Sequence, residues 1–249
     1  MKDAYFIYGM LVLVVFTAAA YGVRVMVWGV ARSERVAKIG GTALVGREVM
    51  DWTYWAMSPI VRGLTAARIT PNMLTWAACV LGFGAGIALA FGWFGLACAL
   101  ATWSVLGDIL DGQVARMTNT GSDRGELLDA AVDRYTEFAF LAGLCIFYRE
   151  SVPYMALTMG ALCASFMISY TSAKAEALQV NPPRGLMRRH ERATYLITGA
   201  GLTALIGHWL AARGLPATTP MLAGVIAVAV IGNFAAVIRL YRIGQALPK

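Results

Sequence analysis

Charge is scarce in this chain. Only 14% of its 249 residues are Asp, Glu, Lys or Arg, against about a quarter in ordinary soluble domains. Hydrophobic residues make up 59%, and the mean hydropathy is +0.62. A single water-facing globule of this length cannot hide so much hydrocarbon, so lipid is the solvent the composition calls for. Cysteine is also scarce. Cys79, Cys98, Cys145 and Cys163 stand singly in apolar stretches with no C-x-x-C pair, which excludes a disulfide framework and a cysteine zinc site and leaves small buried hydrophobes. The only two histidines, His190 and His208, have no metal-ligand partners at useful spacing. Acidic residues are outnumbered 14 to 21 by basic ones, for a formal charge of +7. Such an excess points either to nucleic acid or to the Lys/Arg-rich cytoplasmic loops of a membrane protein. Its distribution selects the second, and no nucleic-acid partner is expected.

Long apolar runs are what the chain has in plenty. The first covers 5–23; a basic segment containing Arg24, Arg32, Arg35, Lys38, Arg47, Arg62 and Arg68 follows it. Lys2, the run and the small residues Ala18, Ala19 and Ala20 mimic a signal peptide, but the near-spanning length reads better as a retained anchor. Residues 32–70 mix charges with Trp52, Tyr54, Trp55, Met57 and Ile60, a pattern suited to helices lying in the membrane interface. Thr70 or Asn72, around Pro71, is placed to cap the next helix. Spans are then predicted at 72–92, 94–116, 126–148, 152–176, 193–212 and 218–240, each about the length of a bilayer crossing. The organisation is thus an anchor over 1–31, an interfacial segment over 32–70 and a six-helix membrane domain over 71–243. With the N-terminus outside, the cytoplasmic loops hold nearly all the Lys and Arg, and only Lys2, Arg149 and Arg213 fall outside.

Four acids break the apolar pattern near the cytoplasmic ends of two spans, each at a cost of roughly 2.5–3.5 kcal/mol on insertion scales. Asp108 and Asp111 are three apart and share a helix face; Asp129 and Asp133 are four apart and share one on the next helix. The short 117–125 connection makes these helices antiparallel neighbours, so the carboxylates can converge at one depth. Clustered carboxylates repel unless a cation sits among them. All-oxygen donors favour Mg²⁺, Mn²⁺ or Ca²⁺, and Mg²⁺ is often shared between carboxylates and a substrate phosphate. Gly112 and Ala115 leave room for a ligand beside the acids, and Arg116 can offer its guanidinium fork to a phosphate oxygen.

The residues Asp108-x2-Asp111-Gly112-x2-Ala115-Arg116-x8-Gly125-x3-Asp129-x3-Asp133 place eight fixed residues within the 26 positions from Asp108 to Asp133. This resembles the signature D-x2-D-G-x2-A-R-x8-G-x3-D-x3-D of the CDP-alcohol phosphotransferase family at every fixed position. Thr70-Pro71-Asn72-Met73-Leu74-Thr75 is similar to the start of that family's first core helix. The resemblance spans about 60–240 and leaves the first helix as an addition to the family's six. It implies an all-α integral membrane enzyme, often a homodimer, that moves a phosphatidyl-type group from a CDP-linked lipid to a polar alcohol and releases CMP. It further implies metal ligation by Asp108, Asp111, Asp129 and Asp133, with Asp133 also able to serve as general base. Gly112, Ala115, Arg116 and Gly125 would line the CDP site, and Mg²⁺, with Mn²⁺ as the alternative, would be the metal. These roles suit the chemistry, because base catalysis needs a carboxylate near the attacking hydroxyl and metal offsets charge on the departing CMP.

A second charged cluster follows the fourth core span: Lys174 and Glu176, then Arg184, Arg188, Arg189, His190, Glu191 and Arg192. Ser169 through Glu176, with Glu191-Arg192, resembles the branch making phosphatidylinositol phosphate from inositol phosphate, although that branch commonly carries lysine where Ser172 stands. The resemblance gives Arg189, Arg192 and Arg239 to the acceptor's phosphate. Glycerol phosphate, serine and inositol stay open as acceptors. From the residues alone, a cation transporter also uses intramembrane acids, and a lipid-binding scaffold also uses basic loops.

Overall fold

Backbone polar groups in lipid have no water to bond, so apolar runs of this length become helices. The structure, a computed structural model, describes residues 3–32, 36, 46–180 and 186–247. The sequence readings for Lys2, Arg35, Lys38, Arg184 and Lys249 lie outside the described residues. Eight helices account for nearly all of the described chain: α1 (Tyr5–Trp28), α2 (Arg47–Ala66), α3 (Pro71–Ala90), α4 (Phe94–Thr118), α5 (Asp123–Phe147), α6 (Val152–Ala177), α7 (Arg189–Ala211) and α8 (Thr219–Ala246). No strand occurs among the described residues. Helices α1, α3, α4, α6 and α8 are each long and apolar enough to cross a membrane. The remaining core helices, α5 and α7, match them in length but crowd their charges into the end that carries the site.

Local chemistry explains the helix ends. Thr70 caps α3, its hydroxyl accepting from Met73 N at 3.4 Å with Pro71 in the first turn. Ser122 caps α5 by accepting from Gly125 N at 3.2 Å, and Asp123 and Glu126 face the positive end of the helix dipole. That cap starts α5 three residues before the expected 126. Likewise Glu191 accepts from Arg188 N at 3.2 Å, so α7 begins at Arg189 rather than 193. Asn119, at φ 52°, ends α4 in the left-handed conformation that asparagine tolerates. Helix α1 runs on to Trp28, past the expected 23. Within the stretch 32–70 the described residues include the helix α2. It is amphipathic, and Val61, Met57 and Leu64 pack on Leu110 and Val114 of α4.

One expectation is corrected. Helices α4 and α5 are joined by a short loop, but they do not pack along their lengths. Both pack on α3, which sits between them, while α7 completes the far side of α4 and α8 joins α6 with α7. The reason lies in two glycines. A Cβ on Gly143 of α5 would collide with Gly86 O of α3, and one on Gly86 would collide with Ala139 O. The two backbones touch directly, the small-residue contact that membrane helices use where hydrophobic driving force is lacking. Around this seam the main core gathers Ala85, Leu89, Leu141, Leu144, Leu196 and Val225. Helix α1 joins at its N-terminal end, where Ile7 enters the core. The Asp3 carboxylate there accepts from Gly95 N at 2.6 Å and Leu96 N at 3.3 Å, capping α4. At the other end Tyr21 meets Trp55 of α2 with ring centroids 5.3 Å apart.

Candidate active site

The site lies where the last turns of α4 meet the first turns of α5 and α7. Asp108 and Asp111 come from α4 and Asp129 from α5. One carboxylate oxygen from each lies within 4.8 Å of the other two. Oxygens bound to one Mg²⁺, Mn²⁺ or Ca²⁺ at about 2.0–2.6 Å stand no farther apart than roughly twice that distance, so these three residues fit a divalent ion. Asp111 is buried, and its Oδ2 accepts from Thr75 Oγ1 of α3 at 2.6 Å. That bond points the carboxylate inward, the outer support that metal-ligating carboxylates commonly have. Thr75 stood in the sequence inside a recognised stretch but had been given no role; its signal was a hydroxyl in the first turns of an otherwise apolar helix.

Asp133 stands apart from the three. Four residues along α5 carry it about 6 Å beyond Asp129, and it is buried against cations instead. Arg189 Nη2 pairs with its Oδ1, and Arg134 Nη1 lies 3.6 Å from its Oδ2. Arg189 Nη1 also lies 3.1 Å from Asp108 Oδ2. Arg189, read from sequence as an acceptor-phosphate residue, therefore sits between two of the site's acids. The cause is positional: as the first residue of α7 it projects across to α4 and α5. The other two arginines of that group lie deeper. Arg192, 1% exposed, donates from Nε and Nη2 to Glu137 of α5 at 2.7 and 2.9 Å, and from Nη1 to Met187 O at 2.8 Å. Arg239 of α8 donates to Ser172 Oγ and Leu186 O, each at 3.1 Å, while its Nε is buried with no hydrogen-bond partner among the described residues. Glu137 had no part in the sequence reading, though its place one turn past Asp133 was visible there.

The residues expected to line the nucleotide flank the acids. Arg116 folds back so that its Nη1 lies 3.2 Å from where a Gly112 Cβ would be. Any side chain at Gly112 would thus displace that guanidinium. Ala115 is half-buried one turn from Asp111. Gly125 lies in the capped first turn of α5, where a Cβ would stand 3.3 Å from Ser122 Oγ and 3.8 Å from Asn72 Oδ1. Below the acids a cavity of about 70 Å³ runs between α3, α4, α5 and α7, with Asp133, Glu137 and Arg189 at its polar end and Phe140 and Leu196 deeper.

Known proteins resemble this chain in sequence and in fold. The family model for CDP-alcohol phosphatidyltransferases matches residues 68–238. The phosphatidylinositol phosphate synthase of Mycobacterium tuberculosis is 36% identical over 154 residues, covering 59% of this chain and 69% of the relative. That of Cutibacterium acnes is 31% identical over 166 residues, covering 62% and 80%. Crystal structures of the M. tuberculosis enzyme superpose with a TM-score of 0.69 for the complex with manganese and citrate, at 27% identity over 78% of this chain and 92% of that one. For the complex with CDP-DAG bound the TM-score is 0.67, at 28% identity over 77% and 96%. With the family model matching residues 68–238 and the acid cluster among them, this chain belongs to the CDP-alcohol phosphatidyltransferase family.

Proposed function

We propose that the chain transfers a phosphatidyl group from CDP-diacylglycerol to a phosphorylated polyol of the inositol phosphate type, releasing CMP, with the site facing the cytoplasm. The observation that carries this reading is the division of labour among four acids: Asp108, Asp111 and Asp129 converge, and Asp133 stands one turn deeper in reach of the same space. The converged three would hold the metal, Mg²⁺ in the cell with Mn²⁺ as a substitute. A divalent ion there supplies the positive charge that the donor's diphosphate and the leaving CMP require. Asp133 takes the proton from the acceptor hydroxyl, whose oxygen bonds the phosphorus nearer the lipid. The bond from that phosphorus to the bridging oxygen breaks, and CMP carries the bridging oxygen away. Gly112, Ala115, Arg116 and Gly125 form the nucleotide cradle.

The acceptor's phosphate finds a candidate in the deeper Arg239 of α8. The buried Nε of Arg239 has an N–H to spare. Arg192, 1% exposed, spends its Nε, Nη1 and Nη2 on Glu137 and Met187 O. Ser172, which bonds Arg239, supplies a neutral hydroxyl where the related branch carries a lysine. The names of the relatives support inositol phosphate among the possible acceptors. The Lys/Arg-rich loops at the site's end of the bundle support the cytoplasmic placement.

The test is CMP release by the purified chain with CDP-diacylglycerol and Mg²⁺ across inositol phosphate, glycerol phosphate, serine and inositol. Release that depends on inositol phosphate and is lost in Asp133→Asn is the expected result. Release with another acceptor alone would overturn the acceptor assignment, and no release with any acceptor would overturn the transferase reading.

A further inference from the structure

Two ion pairs cross between α5 and α7 like rungs. Asp133 and Glu137 are one turn apart on α5, and Arg189 and Arg192 one turn apart on α7, so both pairs lie on facing surfaces. The upper rung, Asp133 with Arg189, opens toward the site: the Arg189 side chain is 34% exposed and also reaches Asp108. The lower rung, Glu137 with Arg192, is sealed. Its side chains are 14% and 1% exposed, both Glu137 oxygens are engaged in a fork, and the third arginine bond ties down Met187 O just before α7. Met187 itself holds φ 61° and is buried against Ile168 of α6 and Ala236 of α8. A cavity lined by Asp133, Glu137, Arg189 and Ala193 opens beside the rungs, which tie α5 to α7 across it.

A buried ion pair is a weak stabiliser, since the cost of dehydrating both charges takes back most of the attraction, and apolar pairs of like volume often serve stability as well. Its bidentate geometry fixes position instead. We infer that Glu137 is a positioning residue: through Arg192 it sets the first turn of α7 so that the Arg189 charge lies between Asp108 and Asp133. This rests on the reading of Asp108 as a metal ligand. In this arrangement Arg189 competes with a divalent ion for Asp108, and the lower rung decides how strongly.

The test compares Mn²⁺ affinity, by the loss of the free-ion electron paramagnetic resonance signal, in the unaltered protein, Arg189→Gln and the double variant Glu137→Met/Arg192→Leu. The double variant removes one charge of each sign, so the net charge is unchanged and a shift in affinity has to come through Arg189. Expected are Mn²⁺ affinities about 3–10-fold tighter in Arg189→Gln and in the double variant alike, the size of a modest charge–charge coupling in a partly exposed site. The double variant should also lose at least about tenfold in kcat with the donor KM within twofold, the pattern of lost transition-state positioning rather than lost binding. A folded double variant with unaltered Mn²⁺ affinity would overturn the proposal, as would an Arg189→Gln protein whose affinity does not move. Should the apolar pair fail to fold, Glu137→Gln/Arg192→Gln keeps the volume and the charge balance and is read by the same outcomes. A chain that binds Mn²⁺ yet releases no CMP would overturn the transferase reading while leaving the affinity comparison in force.

Discussion

Asp129 and Asp133 lie four residues apart on one helix face, yet their surroundings separate them. Asp129 shares its space with two other carboxylates; Asp133 faces two guanidiniums and a cavity. A carboxylate amid like charges is a ligand in need of a cation, whereas one that opens on a cavity can come within reach of an acceptor hydroxyl. Asp133→Asn keeps the shape and removes the base. It should lower kcat by about 10²–10⁴-fold while Mn²⁺ affinity, read by titration calorimetry, stays within a few-fold of the unaltered protein. Asp129→Asn should instead lose measurable Mn²⁺ binding. Thr75 supports the ligand set from behind, and Thr75→Val, which removes only the hydroxyl, should weaken Mn²⁺ binding by about tenfold, the usual scale for an outer partner of a metal ligand. A Thr75→Val protein with unchanged affinity would show that Asp111 is oriented by its own helix alone.

At the scale of elements, the site depends on a contact far from it. The touching backbones of Gly86 and Gly143 set how closely α3 and α5 approach, and α3 carries Thr75 while α5 carries Asp129 and Asp133. Gly143→Ala forces the seam apart at a backbone oxygen that cannot rotate away. Overpacking of this kind costs about 1–3 kcal/mol. It should appear as a lower thermal midpoint in detergent together with weaker Mn²⁺ binding, because the aspartate on α5 moves with its helix. Gly143→Ala with both quantities unchanged would mean that the helices can slide apart without disturbing the acids. The cap at Ser122 acts on the same helix from its other end, and Ser122→Ala should cost about 1 kcal/mol of stability.

Across the whole molecule, the charges are concentrated at one end of an apolar bundle. Three carboxylates converge there at metal-ligand spacing, so chelation by EDTA should abolish CMP release, and added Mg²⁺ or Mn²⁺ should restore it in the same sample. Persistent release in EDTA would remove the metal from the proposed chemistry. Helix α1 is attached to this bundle by Asp3, Ile7 and Tyr21 and touches no acid of the site. Asp3→Ala should therefore lower the thermal midpoint and leave the donor and acceptor KM values in place, as checked by unfolding scans beside steady-state rates.

The helical class, the near-spanning lengths and the acid motif are legible in the amino-acid order, because these depend on composition and on spacing along one helix. Lipid leaves an apolar run no alternative to the helix, and residues three or four apart share a face wherever that helix is placed. Thr70 was legible as a cap for the same local reason. Relations between helices distant in sequence come from the three-dimensional packing of the fold. It wedges α3 between α4 and α5, against the expectation from their short loop, because paired glycines at 86 and 143 permit a backbone contact that no one-dimensional pattern encodes. It sets Arg189 between Asp108 and Asp133, since the direction of a first-turn side chain depends on where α7 docks. It also joins Glu137 to Arg192 across 55 residues of chain. Pairing between helices follows from packing in three dimensions, and spacing along the chain reports only the half of each pair that one helix carries.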